Sequence, residues 1–159
     1  MITIEEVIAG QMKAWSKNNA ALMLLLENIP SEGFDLTLSR KGSRSIKDQF
    51  YHLVQVRAMW LEAAATGFKI AKPTSKAHLT LEGIKEMLTN SSDAISGLIH
   101  ASLSRDGKVK GSGMDVFSFI GYLISHESHH RGNILLTLKV SGVPLNTSVS
   151  YALWDWKKL

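Results

Sequence analysis

Apolar residues recur three and four positions apart in four long segments of the chain, which is the spacing of amphipathic helices. These segments cover about residues 3–28, 45–67, 80–104 and 115–140. None of them shows the sustained alternation of apolar and polar residues that marks a strand. Helices of this length joined by short connections pack against one another. The pattern predicts an all-α fold, an antiparallel four-helix bundle that spans residues 1–159 as a single domain.

The boundaries of these segments carry residues that start and stop helices. Thr3 and Glu6 match a capping box at the beginning of the first segment. Gly142 follows the fourth segment, where glycine commonly ends a helix. Outside the helices, residues 105–113 contain an Asp-Gly dipeptide and predict a loop or a small hairpin. Residues 151–156 form a short aromatic C-terminal segment.

The composition suits one apolar core without covalent cross-links. Hydrophobic residues make up 45% of the 159 residues, and cysteine is absent. The absence of cysteine excludes a disulfide scaffold, a thiolate metal site and a cysteine nucleophile. The N-terminus lacks the basic and apolar regions of a secretory signal, and the longest apolar stretch, residues 20–26, is too short to cross a bilayer. We therefore expect a cytoplasmic protein with no membrane partner.

The net charge of the chain does not identify a partner. The formal charge is +4 at pH 7, and the isoelectric point is near 9.4. Lysines and arginines are spread along the sequence with acidic residues between them, which is typical of a solvated surface. Because the chain has neither a basic stripe nor a recognisable nucleic-acid-binding module, we expect no nucleic-acid partner.

The sequence HESHHRGN, inside the fourth segment, is the most informative motif. His126 and His130 are four residues apart, so they project from one side of a helix only about 40° apart around its axis. Phe119 and Leu123 share that side, which predicts that the pair faces the protein interior. Buried imidazoles are costly unless their nitrogens find partners, and a metal ion is one such partner.

The spacing alone leaves a simpler explanation open, because two histidines four apart also arise by chance and buried histidines are often only hydrogen-bonded. A third histidine ligand would favour metal binding over this simpler explanation. His52 is the best candidate, since it lies within the second segment on a side shared with Val56 and Met59. Ordinary surface roles are expected for the remaining histidines, His78, His100 and His129.

Residues 126–130 also match HExxH, the zinc-protease motif in which the glutamate acts as general base. Glu127 would be that base. However, the chain after the motif contains no Glu or His, and Asp155 is its one acidic residue, so a downstream third ligand is lacking. Glu127 also lies about 100° around the helix from His126. A metalloprotease is therefore the last of the alternatives.

Two motifs resemble those of the DinB-like (DinB/YfiT) metal-binding four-helix bundles. HESHHRGN resembles the HExxHRGQ segment of that family, with Asn133 where glutamine is common. SIKDQFYHLVQVRAMWLEA resembles its second helix, in which a tryptophan follows a histidine by eight residues. The resemblance extends over nearly the whole chain and implies that His52, His126 and His130 bind one divalent ion, with zinc and nickel the leading candidates. It also implies a homodimer.

Three imidazoles leave one coordination position open, which is typical of a catalytic site. The resemblance implies thiol-dependent transferases or isomerases that use a low-molecular-weight thiol, and metal-dependent hydrolysis is the other candidate reaction. We expect an enzyme that acts on a small molecule. The alternative is a non-catalytic metal-binding module for stress response or interaction.

Two further residues are candidates for contacts at the site, namely Glu127 and Asn133. A solvated glutamate and a helix-packing amide are their alternative roles. The expected neighbours Phe119, Leu123 and Met59 predict a mainly apolar pocket. Such a pocket suits a partly apolar substrate, and because no arginine cluster is evident, phosphorylated molecules are expected to bind poorly.

Overall fold

The computed structural model describes residues 1–39, 41–64, 67–68, 70 and 79–159. These residues are mostly helical, which confirms the all-α class. The described elements are α1 (Ile4–Glu27), a 3-10 turn (Ser31–Gly33), α2 (Ile46–Ala64), α3 (Leu81–Leu103), strands β1 (Lys108–Val109) and β2 (Met114–Asp115), α4 (Val116–Val140) and α5 (Thr147–Ala152). Each of the four predicted segments is a helix.

The helix ends follow the predicted chemistry. The Glu6 backbone N–H donates to the Thr3 hydroxyl at 3.2 Å, and the Thr3 N–H donates to the Glu6 carboxylate at 2.8 Å. This capping box satisfies backbone donors that the first turn leaves without partners. Gly142 follows α4 with φ of +80°, the left-handed conformation that glycine adopts at helix ends. The boundaries of α1 and α4 are therefore encoded locally.

The small hairpin predicted before α4 is present. β1 and β2 pair antiparallel, with Lys108 opposite Asp115 and Val109 opposite Met114. Gly111 lies in the connecting turn with φ of +78°, and a Cβ there would lie 2.3 Å from the carbonyl oxygen of Ala63 on α2. Only glycine allows this close approach, so the hairpin is fitted against the end of α2.

The long helices pack so that α1 and α2 each contact both α3 and α4. Their buried faces form two apolar clusters. One includes Phe50, Leu53 and Ile134, and the other includes Trp15 and Leu123. His52 is flanked on α2 by residues of the first cluster, and His126 and His130 lie along α4 between residues of the second cluster and residues of the first. None of the described helices combines the length and apolar character that a membrane span requires.

Candidate metal centre

Three histidines from two helices converge between α2 and α4. His52 comes from α2, and His126 and His130 come from successive turns of α4. Their ring centroids are separated by 5.3 Å for His52 and His126, 5.0 Å for His52 and His130, and 4.8 Å for His126 and His130. One nitrogen from each ring lies within 4.8 Å of the other two. The structure thus brings together all three residues that the sequence selected.

Gln49 holds one of these rings in place. It lies one turn before His52 on α2, is 5% exposed, and places its Oε1 3.2 Å from Nδ1 of His130. Because the amide oxygen can only accept a hydrogen bond, this contact favours the proton on Nδ1. The lone pair of His130 is then on Nε2. Gln49 was not predicted from the sequence, although its position three residues before His52 placed it near that side of α2.

His126 has a different environment. Its Nδ1 is buried and has no hydrogen-bond partner in the described part of the chain. Its ring stacks on Tyr122 with centroids 6.1 Å apart, and Tyr122 in turn contacts the edge of Trp60 at 5.7 Å. A buried polar atom without a partner is costly. The described part of the protein therefore leaves a buried nitrogen of His126 without a partner, which an ion or another hydrogen-bonding group must satisfy.

Burial keeps His126 and His130 neutral. The pKa of His130 is lowered to about 4, chiefly by burial and then by the charges of His126 and His52 nearby. Burial is also the main cause of the lowered pKa of His126, where the charge of Glu127 opposes the shift. Arg44 adds to the lowering at both rings. Neutral imidazole is the form that coordinates metals, so the environment prepares these side chains as ligands at neutral pH.

These observations together fit a metal ion. Three imidazole nitrogens converge, one of the rings is oriented by Gln49, and another has a buried nitrogen that lacks a partner among the described residues. Three histidines with an exogenous fourth ligand are a known donor set for zinc. The three side chains are positioned to bind one metal ion.

Glu127 is not part of the three-histidine cluster. Its side chain is 1% exposed and accepts two hydrogen bonds from Arg57, from Nε at 2.7 Å and from Nη2 at 2.9 Å. Asn18 of α1 donates a third, and Arg57 also donates to Ser91 of α3 at 3.0 Å. The alternative of a solvated glutamate is wrong, because helix packing buries position 127 against α1 and α2. The carboxylate belongs to a buried polar network that joins all four long helices.

Asn133 and His129 of the motif are more exposed than Glu127. Asn133 is partly buried, and its side-chain amide lies 3.0 Å from Nε2 of His129, which is exposed. His129 contacts the edge of the His130 ring at 5.2 Å but is not part of the converging set. His100 is exposed near the end of α3. His78 lies outside the described residues.

The surroundings are more polar than predicted. Phe119 and Leu123 are fully buried in the core, and Met59 is 47% exposed. The expected apolar pocket is therefore wrong for the cavity that adjoins His130, whose lining includes several polar side chains, namely Ser43, Arg44, Gln49 and Asn133. Sequence reasoning missed Arg44 because it belongs to the turn before α2, and only the folded chain brings that turn to α4.

The fold and the site define a class of helical proteins with a three-histidine centre between two helices. The sequence model of the DinB family matches residues 10–154. The chain therefore belongs to the DinB family. No curated protein and no solved structure matches it.

Proposed function

We propose that the protein is a metal-dependent enzyme acting on a small molecule, with His52, His126 and His130 as the ligands of one divalent ion. The convergence of one nitrogen from each histidine within 4.8 Å is the observation that carries this proposal. Zinc and nickel are the leading candidates, since imidazole suits both.

Each residue of the centre has a separate task. The three histidines supply neutral nitrogen donors, and Gln49 orients the His130 ring through its 3.2 Å contact. Tyr122 covers one face of His126. A divalent ion bound by these residues would lower the pKa of a water or thiol ligand and would polarise carbonyl groups. Such a centre supports transfer or isomerisation with a low-molecular-weight thiol, or hydrolysis.

The position of Glu127 bears on the alternatives. A metalloprotease with an HExxH motif needs its glutamate beside the reacting water. Here both carboxylate oxygens of Glu127 accept hydrogen bonds from Arg57 inside the core, which argues against a protease. Asn133 is the remaining candidate for a substrate contact, because it lines the cavity beside His130. A non-catalytic metal-binding module for stress response or interaction is the second candidate function.

We further infer that the four long helices form an antiparallel bundle and that residues 1–159 are one domain. The contacts of α1 and α2 with both α3 and α4 support this arrangement. We also propose a cytoplasmic location, which the absence of cysteine suggests, and a homodimer, which the resemblance to the DinB family suggests.

The ligand assignment is tested by elemental analysis of protein purified without a nickel column. Wild-type protein should contain about one divalent ion per chain, and His52→Ala, His126→Ala and His130→Ala should each lose most of it, because a site with two remaining imidazoles is weak. His129→Ala is the matched control, since it removes an exposed imidazole from the same helix. Equal loss in the control and the ligand variants would contradict the assignment.

The reaction class is tested with cobalt-substituted protein. Small thiols should change the visible absorption of the cobalt, because an open position admits an exogenous sulfur ligand. A thiol-induced change supports the transferase or isomerase, whereas metal-dependent turnover without thiol supports the hydrolase. If the cobalt protein shows neither a thiol-induced change nor turnover, the non-catalytic binding module is favoured.

A further inference from the structure

A cavity of about 190 Å³ lies beside His130. The turn before α2 forms one wall, and α4 forms the other. The cavity adjoins the three-histidine cluster through His130, and Gln49 contributes to both the cavity lining and the cluster. Its volume is several times that of one water molecule, about 30 Å³. The cavity can therefore hold a functional group of a molecule that reaches the cluster.

The turn that presents Arg44 is held by its own hydrogen bonds. Ser43 Oγ accepts from the Ser39 backbone N–H at 3.0 Å, and the two hydroxyls lie 3.0 Å apart. Gly42 adopts φ of +78°, which allows the chain to reverse there. The two ends of the turn are joined at the start of α2, since the Ile46 N–H donates to the Leu36 carbonyl at 3.0 Å. Arg44 thus projects from an anchored backbone.

The charge of Arg44 is not neutralised by an ion pair, because Arg44 forms none with any described residue. No carboxylate is among the described residues that line the cavity, whereas the amide of Asn133 adds a further donor. The wall therefore complements an anion.

We propose that Arg44 binds a carboxylate of the small molecule that reaches the three-histidine cluster, which makes this cavity the subsite that selects anionic substrates. The assignment rests on the proposed function for its catalytic meaning. A single guanidinium offers two parallel N–H groups that match a carboxylate. Arg44 is the one arginine or lysine among the described lining residues, and a phosphate dianion would call for more donors.

The test measures binding of propionate and succinate to metal-free protein, by following the backbone amide signals of Ser43 and Asn133 in NMR. Metal-free protein is used because a carboxylate can also coordinate an ion directly. Arg44→Gln should weaken binding about tenfold or more, since hydrogen bonds to charged groups are among the stronger ones. The affinity of Arg44→Lys should lie between those of wild type and Arg44→Gln, because lysine keeps the positive charge but lacks the two parallel N–H donors of arginine.

Lys41→Gln is the matched control, since it removes one positive charge from the same turn at a position outside the cavity lining. It should bind propionate like wild type. Equal affinity in Arg44→Gln and wild type, or no saturable shift in wild type, would overturn the subsite. Phosphate binding as tight as succinate binding would overturn the carboxylate assignment.

Metal content separates this inference from the proposed function. Carboxylate binding that depends on Arg44, in a protein that takes up no metal, would retain the subsite and reject the metal centre. Metal uptake at the three histidines with carboxylate binding independent of Arg44 would reject the subsite alone.

Discussion

At the scale of single residues, the centre depends on how each imidazole is oriented as much as on which residues are present. His130 has a specific partner in Gln49, and His126 leaves its buried Nδ1 without one among the described residues. A hydrogen bond to one ring nitrogen fixes the tautomer and the ring plane, and so raises the affinity of the other nitrogen for metal. Gln49 should therefore influence metal binding without touching the ion.

We predict that Gln49→Leu lowers metal affinity about 10- to 100-fold, the usual effect of losing a partner that orients a ligand. Leucine fills a similar volume but cannot accept the hydrogen bond from His130. Competition with a chromophoric chelator measures the change. Asn133→Ala is the control, because that amide bonds His129 rather than a ligand. Unchanged affinity in Gln49→Leu, or an equal loss in Asn133→Ala, would show that Gln49 does not orient the site.

At the scale of helices, most of the structure could be predicted because its signals are local. The capping box of Thr3 and Glu6, the helix stop at Gly142 and the Asp-Gly turn all depend on residues within a few positions of one another. The same holds for His126 and His130, whose spacing on one helix fixes their common direction. His52 required an inference about which helix faces α4.

The parts that could not be predicted depend on packing between distant segments. Arg44 reaches the site only because the turn before α2 folds against α4. Glu127 lies next to His126 in sequence, yet its position on the helix directs it to Arg57, 70 residues away. Nothing in the local sequence distinguishes a buried glutamate with a partner from a solvated one.

The cap of α4 gives a pH-dependent prediction. The Asp115 carboxylate accepts from the Ser118 hydroxyl and from the backbone N–H groups of Phe117 and Ser118. These hydrogen bonds, the Ser118 side chain first, lower the pKa of Asp115 below its ordinary 3.8. The ionised side chain therefore stabilises the folded state above that ordinary value, and this contribution is lost as the pH falls through the lower folded-state pKa.

We predict that Asp115→Asn, which still caps α4 but cannot ionise, matches wild type in strongly acid solution and becomes relatively less stable as the pH rises. Urea unfolding at a series of pH values measures the difference in the free energy of unfolding. Asp93→Asn, at an exposed position inside α3, controls for the change in net charge. A difference that does not vary with pH, or that grows toward acid, would contradict the prediction.

At the scale of the whole molecule, the helices are joined by apolar clusters and by a polar network. Arg57 is fully buried, and its guanidinium lies 4.8 Å from the ring centroid of Trp15 on α1. It donates to Asn19 of α1 and to the Leu88 carbonyl of α3, each at 3.0 Å, in addition to Glu127 of α4. A buried ion pair can be accommodated in the interior when the hydrogen bonds of both groups are satisfied. Removal of one member of the pair leaves the other as an uncompensated buried charge.

The stability and metal content of Glu127 variants distinguish a structural role of this residue from a catalytic one. Glu127→Gln preserves the shape of the side chain and removes its charge, so Arg57 is left buried without a counter-charge. The variant should lose about 3 kcal/mol or more in the free energy of unfolding, the usual cost of breaking a buried pair. Replacing both members, in Glu127→Gln combined with Arg57→Met, should recover much of that loss because no unpaired charge then remains.

Urea unfolding measures the stability, and elemental analysis should find unchanged metal content in the folded variants. Glu86→Gln, at an exposed position on α3, should stay within about 0.5 kcal/mol of wild type. If Glu127→Gln were instead as stable as wild type while metal content or turnover fell, Glu127 would belong to the metal centre rather than to the network that joins the helices.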